Sequence, residues 1–170
     1  MAQLTSDSFP YYDHILRYAT RVTGSRDDGE DVAQEVCLRY IRSGKMYLGD
    51  QLRNYLYRMA RNYIIDQNRR KKLHARVTAD ENSIVVIAYR NLFQSEPLPH
   101  QSVQDAETFA ILHKKINQLP ALKQEILHLR YDEKMKAKDI AEIVGLSYGN
   151  VRRILSETIA QLSTELEGII

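Results

Sequence analysis

Five polar side chains on one stretch of chain are spaced to act together. Arg58, Arg61, Asn62, Arg69 and Lys72 fall at i, i+3, i+4, i+11 and i+14, the recurrence of one helical face, and only Ile65 breaks the row. The opposite face carries Leu52, Leu56, Met59, Ala60, Tyr63 and Ile64, an apolar stripe suited to a core. Between Gln51 and Arg76 there are eight Lys or Arg and one acid, Asp66. Guanidinium groups, an amide and nearby tyrosines suit a polyanion that also offers flat rings, which describes nucleic acid with its strands separated. The same residues would also make the solvated basic face of an ordinary bundle helix, and this stretch alone does not choose.

The rest of the chain must position that helix. Its 170 residues allow two small domains or one of medium size. The net charge of +2 hides an uneven layout: residues 1–76 carry 14 basic and 9 acidic residues, 77–106 carry 1 and 4, and 107–170 carry 9 of each. The basic character therefore belongs to the N-terminal part. A single cysteine, Cys37, excludes an internal disulfide and a multi-thiolate zinc site, and reads as a small buried apolar residue. No apolar run approaches membrane-spanning length, and MAQLTSDSF lacks the basic start and apolar core of a signal peptide. A cytoplasmic protein without membrane insertion is expected. There is no Gly-rich phosphate loop, no HExxH and no framed nucleophile, and His14, His74, His100, His113 and His128 are scattered. Neither enzymatic activity nor a cofactor or metal is expected.

Three helices are expected in the N-terminal part. The first covers residues 6–23, with Ile15, Leu16, Tyr18, Ala19 and Val22 as apolar positions, Pro10 tolerated near its first turn, and Gly24-Ser25 ending it. The second runs from about Asp27 to Arg42. Its opening acids Asp27, Asp28, Glu30 and Asp31 complement the positive helix N-terminus. Val32, Val36 and Ile41 are expected to face inward, with Ala33, Cys37 and Tyr40 flanking them. Asp31, Gln34, Glu35, Leu38 and Arg39 share a charged side around a central leucine, which suits protein docking or plain solvation. Residues 43–50 read as a loop leading into the basic helix.

Residues 74–104 lose periodicity and contain Pro97 and Pro99, which argues for a linker between two domains. From Asp105 the helical pattern resumes. Phe109, Ile111, Leu112, Ile116 and Leu119 mark a helix stopped by Pro120, and Leu122, Ile126, Leu127, Leu129 and Tyr131 mark the next. In KDIAEIVGLSYGNVRRILSETIAQL, Ala141, Gly145 and Val151 have the A-x3-G-x5-V spacing of a helix-turn-helix: close approach, left-handed turn, return packing. Ser147 is placed to cap the second helix. Val151, Ile154, Leu155 and Ile159 would face the core, whereas Tyr148, Gly149, Asn150, Arg152, Arg153 and Ser156 would face a major groove. The expected fold is all-α, with an N-terminal helical bundle (1–75), a linker (76–104) and a C-terminal helix-turn-helix domain (105–170).

With both halves in view, the chain resembles a bacterial RNA polymerase sigma factor of the extracytoplasmic-function group, within the sigma-70 family. The segment from Asp28 through Asp31-Val32-Ala33-Gln34-Glu35 to Leu38-Arg39 is similar to that family's polymerase-binding pattern. Tyr55-Leu56-Tyr57-Arg58-Met59-Ala60-Arg61-Asn62, with Asp66 and Arg69-Arg70 after it, is similar to its promoter-melting helix. Leu119-Pro120 followed by the helix-turn-helix resembles its second domain. The resemblance implies that Asp31, Gln34, Glu35, Leu38 and Arg39 dock on the clamp helices of the polymerase's largest subunit. It implies −10 recognition by the loop from Met46 to Gln51, including Tyr47, and by Asn54, Tyr55, Arg58, Arg61 and Asn62, with Arg69 and Arg70 on phosphates. It also implies −35 reading by Ser147, Tyr148, Asn150, Arg152, Arg153 and Ser156. The implied partners are core polymerase, including its flap region, promoter DNA in duplex and melted form, and an anti-sigma factor, the common antagonist of the group.

The sequence departs from the family pattern at Gly29, where Ala is usual and Gly inside a helix costs up to about 1 kcal/mol. Tyr55 stands where Trp is common, and Lys136 leaves the first helix of the motif weakly capped. Ser156 and Glu157 stand where basic residues are frequent, so weak independent −35 binding is expected. The competing reading is a polymerase-independent helix-turn-helix regulator with residues 1–76 as a sensor or dimerisation bundle. It leaves the Asp28–Arg39 pattern without a role.

Overall fold

The computed structural model describes the backbone of residues 9–75 and 103–167, and the side chains of 9–71 and 110–167. Among the described residues every regular element is a helix: α1 (Tyr12–Thr23), α2 (Arg26–Arg42), α3 (Gly49–Ala75), α4 (Val103–Gln118), α5 (Ala121–Tyr131), α6 (Ala137–Val144) and α7 (Tyr148–Glu167). The expected linker lies outside the described residues except for its end, because α4 begins at Val103.

α1, α2 and α3 form the N-terminal bundle. α1 starts at Tyr12, not at residue 6: Pro10 sits in a preceding turn closed by the Tyr12 N–H on the Phe9 carbonyl, and Tyr11 is left-handed at φ 67°. Residues 6–8 lie outside the described residues. Gly24 (φ 72°) ends the helix, and Ser25 caps α2 by accepting the Asp28 N–H. Gly29 corrects an expectation. A Cβ there would lie 2.3 Å from Thr20 Oγ1 and 2.8 Å from the Thr20 Cα and N, so the glycine is what lets α2 lie on α1.

Val32, Ala33, Val36 and Cys37 are buried between α1 and α3, but Ile41, expected inside, is 54% exposed. In the last turn of α2 it is Tyr40 that turns inward, edge-on to Phe9 at 5.8 Å. The α3 stripe behaves as expected. Leu52, Leu56, Ala60 and Ile64 are buried, and Tyr57 joins them beside Tyr18, ring centroids 5.1 Å apart.

α4 to α7 form the C-terminal part around Ile126, Leu129, Met135, Ile140, Ile143 and Val151. The helix-turn-helix is built as its spacing predicts. Gly145 turns left-handed (φ 74°) with its N–H on the Ala141 carbonyl, Ser147 Oγ accepts the Asn150 N–H at 3.2 Å, and Val151 is fully buried. Lys136 precedes α6 without a side-chain cap, also as expected. Ile159, expected in the core, is exposed. The buried stripe of α7 runs 151, 155, 158, 162, so Thr158 takes the inward place and satisfies its hydroxyl on the Ile154 carbonyl at 2.6 Å. The two parts touch: α3 packs against α6, and α1 and α3 both reach α5.

Candidate nucleic-acid interface

At the start of α3 the loop residues and the helix make one aromatic and cationic patch. The Tyr40 hydroxyl pins the loop by donating to the Tyr47 carbonyl (3.3 Å) and accepting the Tyr47 N–H (3.0 Å). That sets the Tyr47 ring 4.9 Å from Tyr55, which lies 6.0 Å from Tyr40. Lys45 Nζ stands 5.0 Å over the Tyr55 ring and donates to its hydroxyl, and the Arg58 guanidinium lies 5.6 Å from the same ring. Beside them Met46 and Leu48 are exposed. Rings for stacking, cations for phosphate and exposed apolar tips make a surface fitted to an unstacked base.

The polar face of α3 is only partly open to solvent. Asn54 is 4% exposed and donates from Nδ2 to Asp139 Oδ1 at 2.8 Å. Arg58 lies 3.4 Å from Glu142. Arg61 Nε donates to both carboxylate oxygens of Glu125, at 3.0 and 3.3 Å, and Tyr18 donates to the same carboxylate at 3.0 Å. Asn62, Arg69 and Arg70 are exposed, and the side chain of Lys72 lies outside the described ones. The sequence thus groups these residues correctly on one helix, and the fold divides them between an open part and a covered part.

On α2, Asp31 and Arg39 are exposed and Gln34, Glu35 and Leu38 half-buried, a face that stays partly open to solvent. Arg39 is fixed there by Glu35 (2.6 Å) and by the Tyr63 ring 4.8 Å away. Cys37, behind this face, is fully buried, and burial pushes its thiol up to about 12. It is therefore an unreactive thiol near neutral pH.

Ser147, which caps α7, and the expected outward residues Tyr148, Asn150, Arg152, Arg153 and Ser156 within it are all exposed. Arg152 lies 5.7 Å from the Tyr148 ring, and Arg153 is 3.2 Å from Glu157. Sequence reasoning missed their neighbours. A groove of about 920 Å³ brings Arg130, Tyr131, Lys136 and Lys138 alongside Tyr148 and Arg152. A domain of zero net charge therefore has a locally basic face. The alternation Lys134, Lys136, Lys138 was the available signal.

Also missed were the groups that join the two parts. Arg21 Nη1 lies 2.7 Å from Asp132 Oδ2 and 2.8 Å from His128 Nδ1, and His14 Nδ1 lies 3.1 Å from Glu133 Oε2. Burial pushes the Asp132 carboxyl up, but the hydrogen bond and charge of His128 and the Arg21 guanidinium outweigh it and hold it below its ordinary range. Glu133 is likewise held low against its burial, foremost by the hydrogen bond from His14. Among the described residues no group of His, Cys, Asp or Glu could hold a metal ion, and no helix is long and apolar enough to cross a membrane.

Comparison with known proteins agrees with this geometry. Residues 10–74 match the family model of sigma-70 region 2, and residues 116–164 that of sigma-70 region 4. Among relatives, the ECF RNA polymerase sigma factor SigW of Bacillus subtilis is 29% identical over 147 residues, covering 84% of this chain and 77% of that protein. SigE of Mycolicibacterium smegmatis is 26% identical over 82% of this chain and 52% of its own length, and SigG of Mycobacterium tuberculosis 28% over 91% and 46%. The chain thus spans about half the length of the latter two. Two region models in order, on the two parts that the fold separates, leave the stand-alone regulator without support. The chain belongs to the sigma-70 family, in its extracytoplasmic-function group: it is an alternative sigma factor, the subunit through which RNA polymerase initiates at particular promoters.

Proposed function

We propose the following division of labour within this sigma factor. Residues 1–75 bind core polymerase and open the −10 element, and residues 105–170 read the −35 element. Asp31, Gln34, Glu35, Leu38 and Arg39 on the open face of α2 dock on the clamp helices of the largest subunit, and the C-terminal part meets the flap region. Tyr47, Tyr55, Arg58 and Lys45 receive a flipped base of the melted strand. Asn54, Arg61 and Asn62 complete its recognition. Unstacking a base costs a few kcal/mol, which stacking and hydrogen bonds in such a patch offset.

Arg69 and Arg70 hold phosphates, a contribution that is salt-dependent and indifferent to sequence. Ser147, Tyr148, Asn150, Arg152, Arg153 and Ser156 enter the major groove, with Arg130, Lys136 and Lys138 on the flanking backbone. The chain works in the cytoplasm, beside the chromosome. An anti-sigma factor would act by covering the α2 face.

One observation carries this reading: the aromatic and cationic patch at the start of α3 lies on the helix packed against α2, whose outer face stays partly open to solvent. The test is run-off transcription with bacterial core polymerase. Arg58→Ala/Asn62→Ala is expected to abolish discrete starts while leaving core binding intact. Equal run-off from that variant would overturn the assignment of α3.

A further inference from the structure

The loop that leads into α3 is held by a residue of α2 that lies outside the proposed DNA contacts. Residues 45–48 have no regular structure, and the stretch is bounded by two left-handed glycines, Gly44 at φ 64° and Gly49 at φ 54°. Two hydroxyls from the end of α2 hold the backbone between them. Ser43 Oγ accepts the Lys45 N–H at 3.3 Å. The Tyr40 hydroxyl takes both backbone groups of Tyr47, accepting the N–H at 3.0 Å and donating to the carbonyl at 3.3 Å. Among the described residues no backbone–backbone hydrogen bond reaches residues 45–48. One phenol therefore sets the middle of the loop.

Its grip decides which side chains the loop presents. Successive side chains of an extended segment point to opposite sides, so a slip of one residue exchanges the two sets. In the held register Met46 and Leu48 point outward, 90% and 81% exposed, while Tyr47 between them packs on the Tyr55 ring. Lys45 shares the Tyr47 side, with its Nζ over the same ring. Tyr40 is itself fixed, edge-on to buried Phe9 at 5.8 Å and 6.0 Å from Tyr55. The anchor is tied to the core, and the loop is tied to the anchor.

We propose that Tyr40 is a positioning residue for −10 recognition: its hydroxyl fixes the register of residues 45–48 and thereby sets the base preference of the melted-strand site. Tyr40 acts through the loop and not on DNA. The proposal rests on the preceding reading in one respect, that the patch at the start of α3 receives the melted strand. A site whose groups are locked by packing and by supporting hydrogen bonds discriminates better than one that shifts to accommodate a wrong base. Two hydrogen bonds of ordinary net strength correspond to about tenfold in the population of one loop arrangement.

Tyr40→Phe tests this, because it removes the hydroxyl and keeps the ring that packs on Phe9 and Tyr55. The template is the strongest promoter from a genomic library, with its −10 or its −35 positions randomised. Holoenzyme formed from core polymerase and the full chain transcribes it, and the run-off products are sequenced. Tyr40→Phe is expected to lower the ratio of favoured to disfavoured bases at −10 by about fivefold or more. Core binding and the −35 preferences are expected to stay as in the parent. A merely structural role would weaken both elements together. In hydrogen exchange of the free variant, the Tyr47 amide is expected to exchange about fivefold faster or more, with the amides of buried α2 and α3 residues unchanged. An unaltered −10 ratio, an equal loss at both elements, or unchanged Tyr47 exchange would each overturn the proposal. Arg58→Ala/Asn62→Ala separates the two failures. If that variant loses −10 preference and Tyr40→Phe does not, the positioning role alone fails. If it keeps full preference, the α3 reading fails and takes this proposal with it.

Discussion

Replacing Gly29 with Ala tests the packing logic of the N-terminal bundle, because two effects of known size oppose each other there. By helix propensity alone Gly29→Ala should stabilise α2 by about 1 kcal/mol. The fold predicts the opposite. The added methyl would sit 2.3 Å from Thr20 Oγ1 and 2.8 Å from two backbone atoms of α1. The hydroxyl could rotate away, but the Cα and N cannot, so α1 and α2 must separate. Overpacking of this kind costs about 1–3 kcal/mol, more when backbone has to move. Set against the propensity gain, the net expectation is a loss of up to about 2 kcal/mol, or up to roughly 8 °C in melting temperature for a chain of this size. Urea and thermal unfolding of the full chain measure it. Thr20→Ala in the same chain should recover only part of the loss, because the contacts to backbone remain. A Gly29→Ala protein as stable as the parent, or more so, would refute the close approach of α1 and α2.

Three further outcomes are expected. Leu38→Ala, at the centre of the open α2 face, should weaken core polymerase binding by about tenfold, the scale of one interface anchor, while leaving the unfolding midpoint unchanged; an unaltered polymerase affinity would count against the docking face. Cys37 in the folded chain should resist iodoacetamide at pH 8 and react fully in denaturant, since its thiol is buried and its pKa raised; rapid labelling of native protein would contradict that burial.

Asp132 and Glu133, facing Arg21 and His128, and His14, Tyr57 and His128 respectively, have carboxyls depressed by folding. Their contribution to stability should be complete above the ordinary carboxylate range, from about pH 5 upward, and lost as the pH falls through that range and the lower folded values. Denaturant midpoints between pH 7 and 3 should show this loss, and Asp132→Asn/Glu133→Gln should flatten it; an equally steep profile in that variant would remove these carboxyls from the account.

What the sequence shows and what it hides divide along the range of the interactions involved. The helix-turn-helix was legible because its determinants are local: Gly145 needs a left-handed turn, Ser147 an N–H three residues on, and Val151 a place on the same short motif. The α3 stripe was legible because one face repeats for more than three turns. Errors came where periodicity meets the end of an element. Ile41 continues the Ala33–Cys37 row, yet Tyr40 is the residue that packs on Phe9. Ile159 lost its place to Thr158, whose hydroxyl is satisfied within its own helix and so can be buried.

Gly29 was misread for a deeper reason: its value lies in Thr20, a residue on another helix. The contacts between the two parts were invisible on the same grounds. Glu125 reads as one more charge on a helix, and nothing within 50 residues of it indicates that Arg61 and Tyr18 will enclose it. The candidate DNA residues were thus named from type and spacing, but which of them are covered depends on long-range contacts between charged groups that leave no period in the sequence.

Reconstituted initiation is the most direct test of the central claim. Core polymerase, the purified full chain and a library of genomic promoters would be combined, and run-off products sequenced. The account predicts discrete starts sharing −10 and −35 elements, lost with Arg58→Ala/Asn62→Ala while the variant still binds core polymerase. A chain that binds core polymerase but yields the same starts with and without Arg58 and Asn62 would contradict the role given to α3, and a chain that neither binds polymerase nor directs any start would contradict the account as a whole.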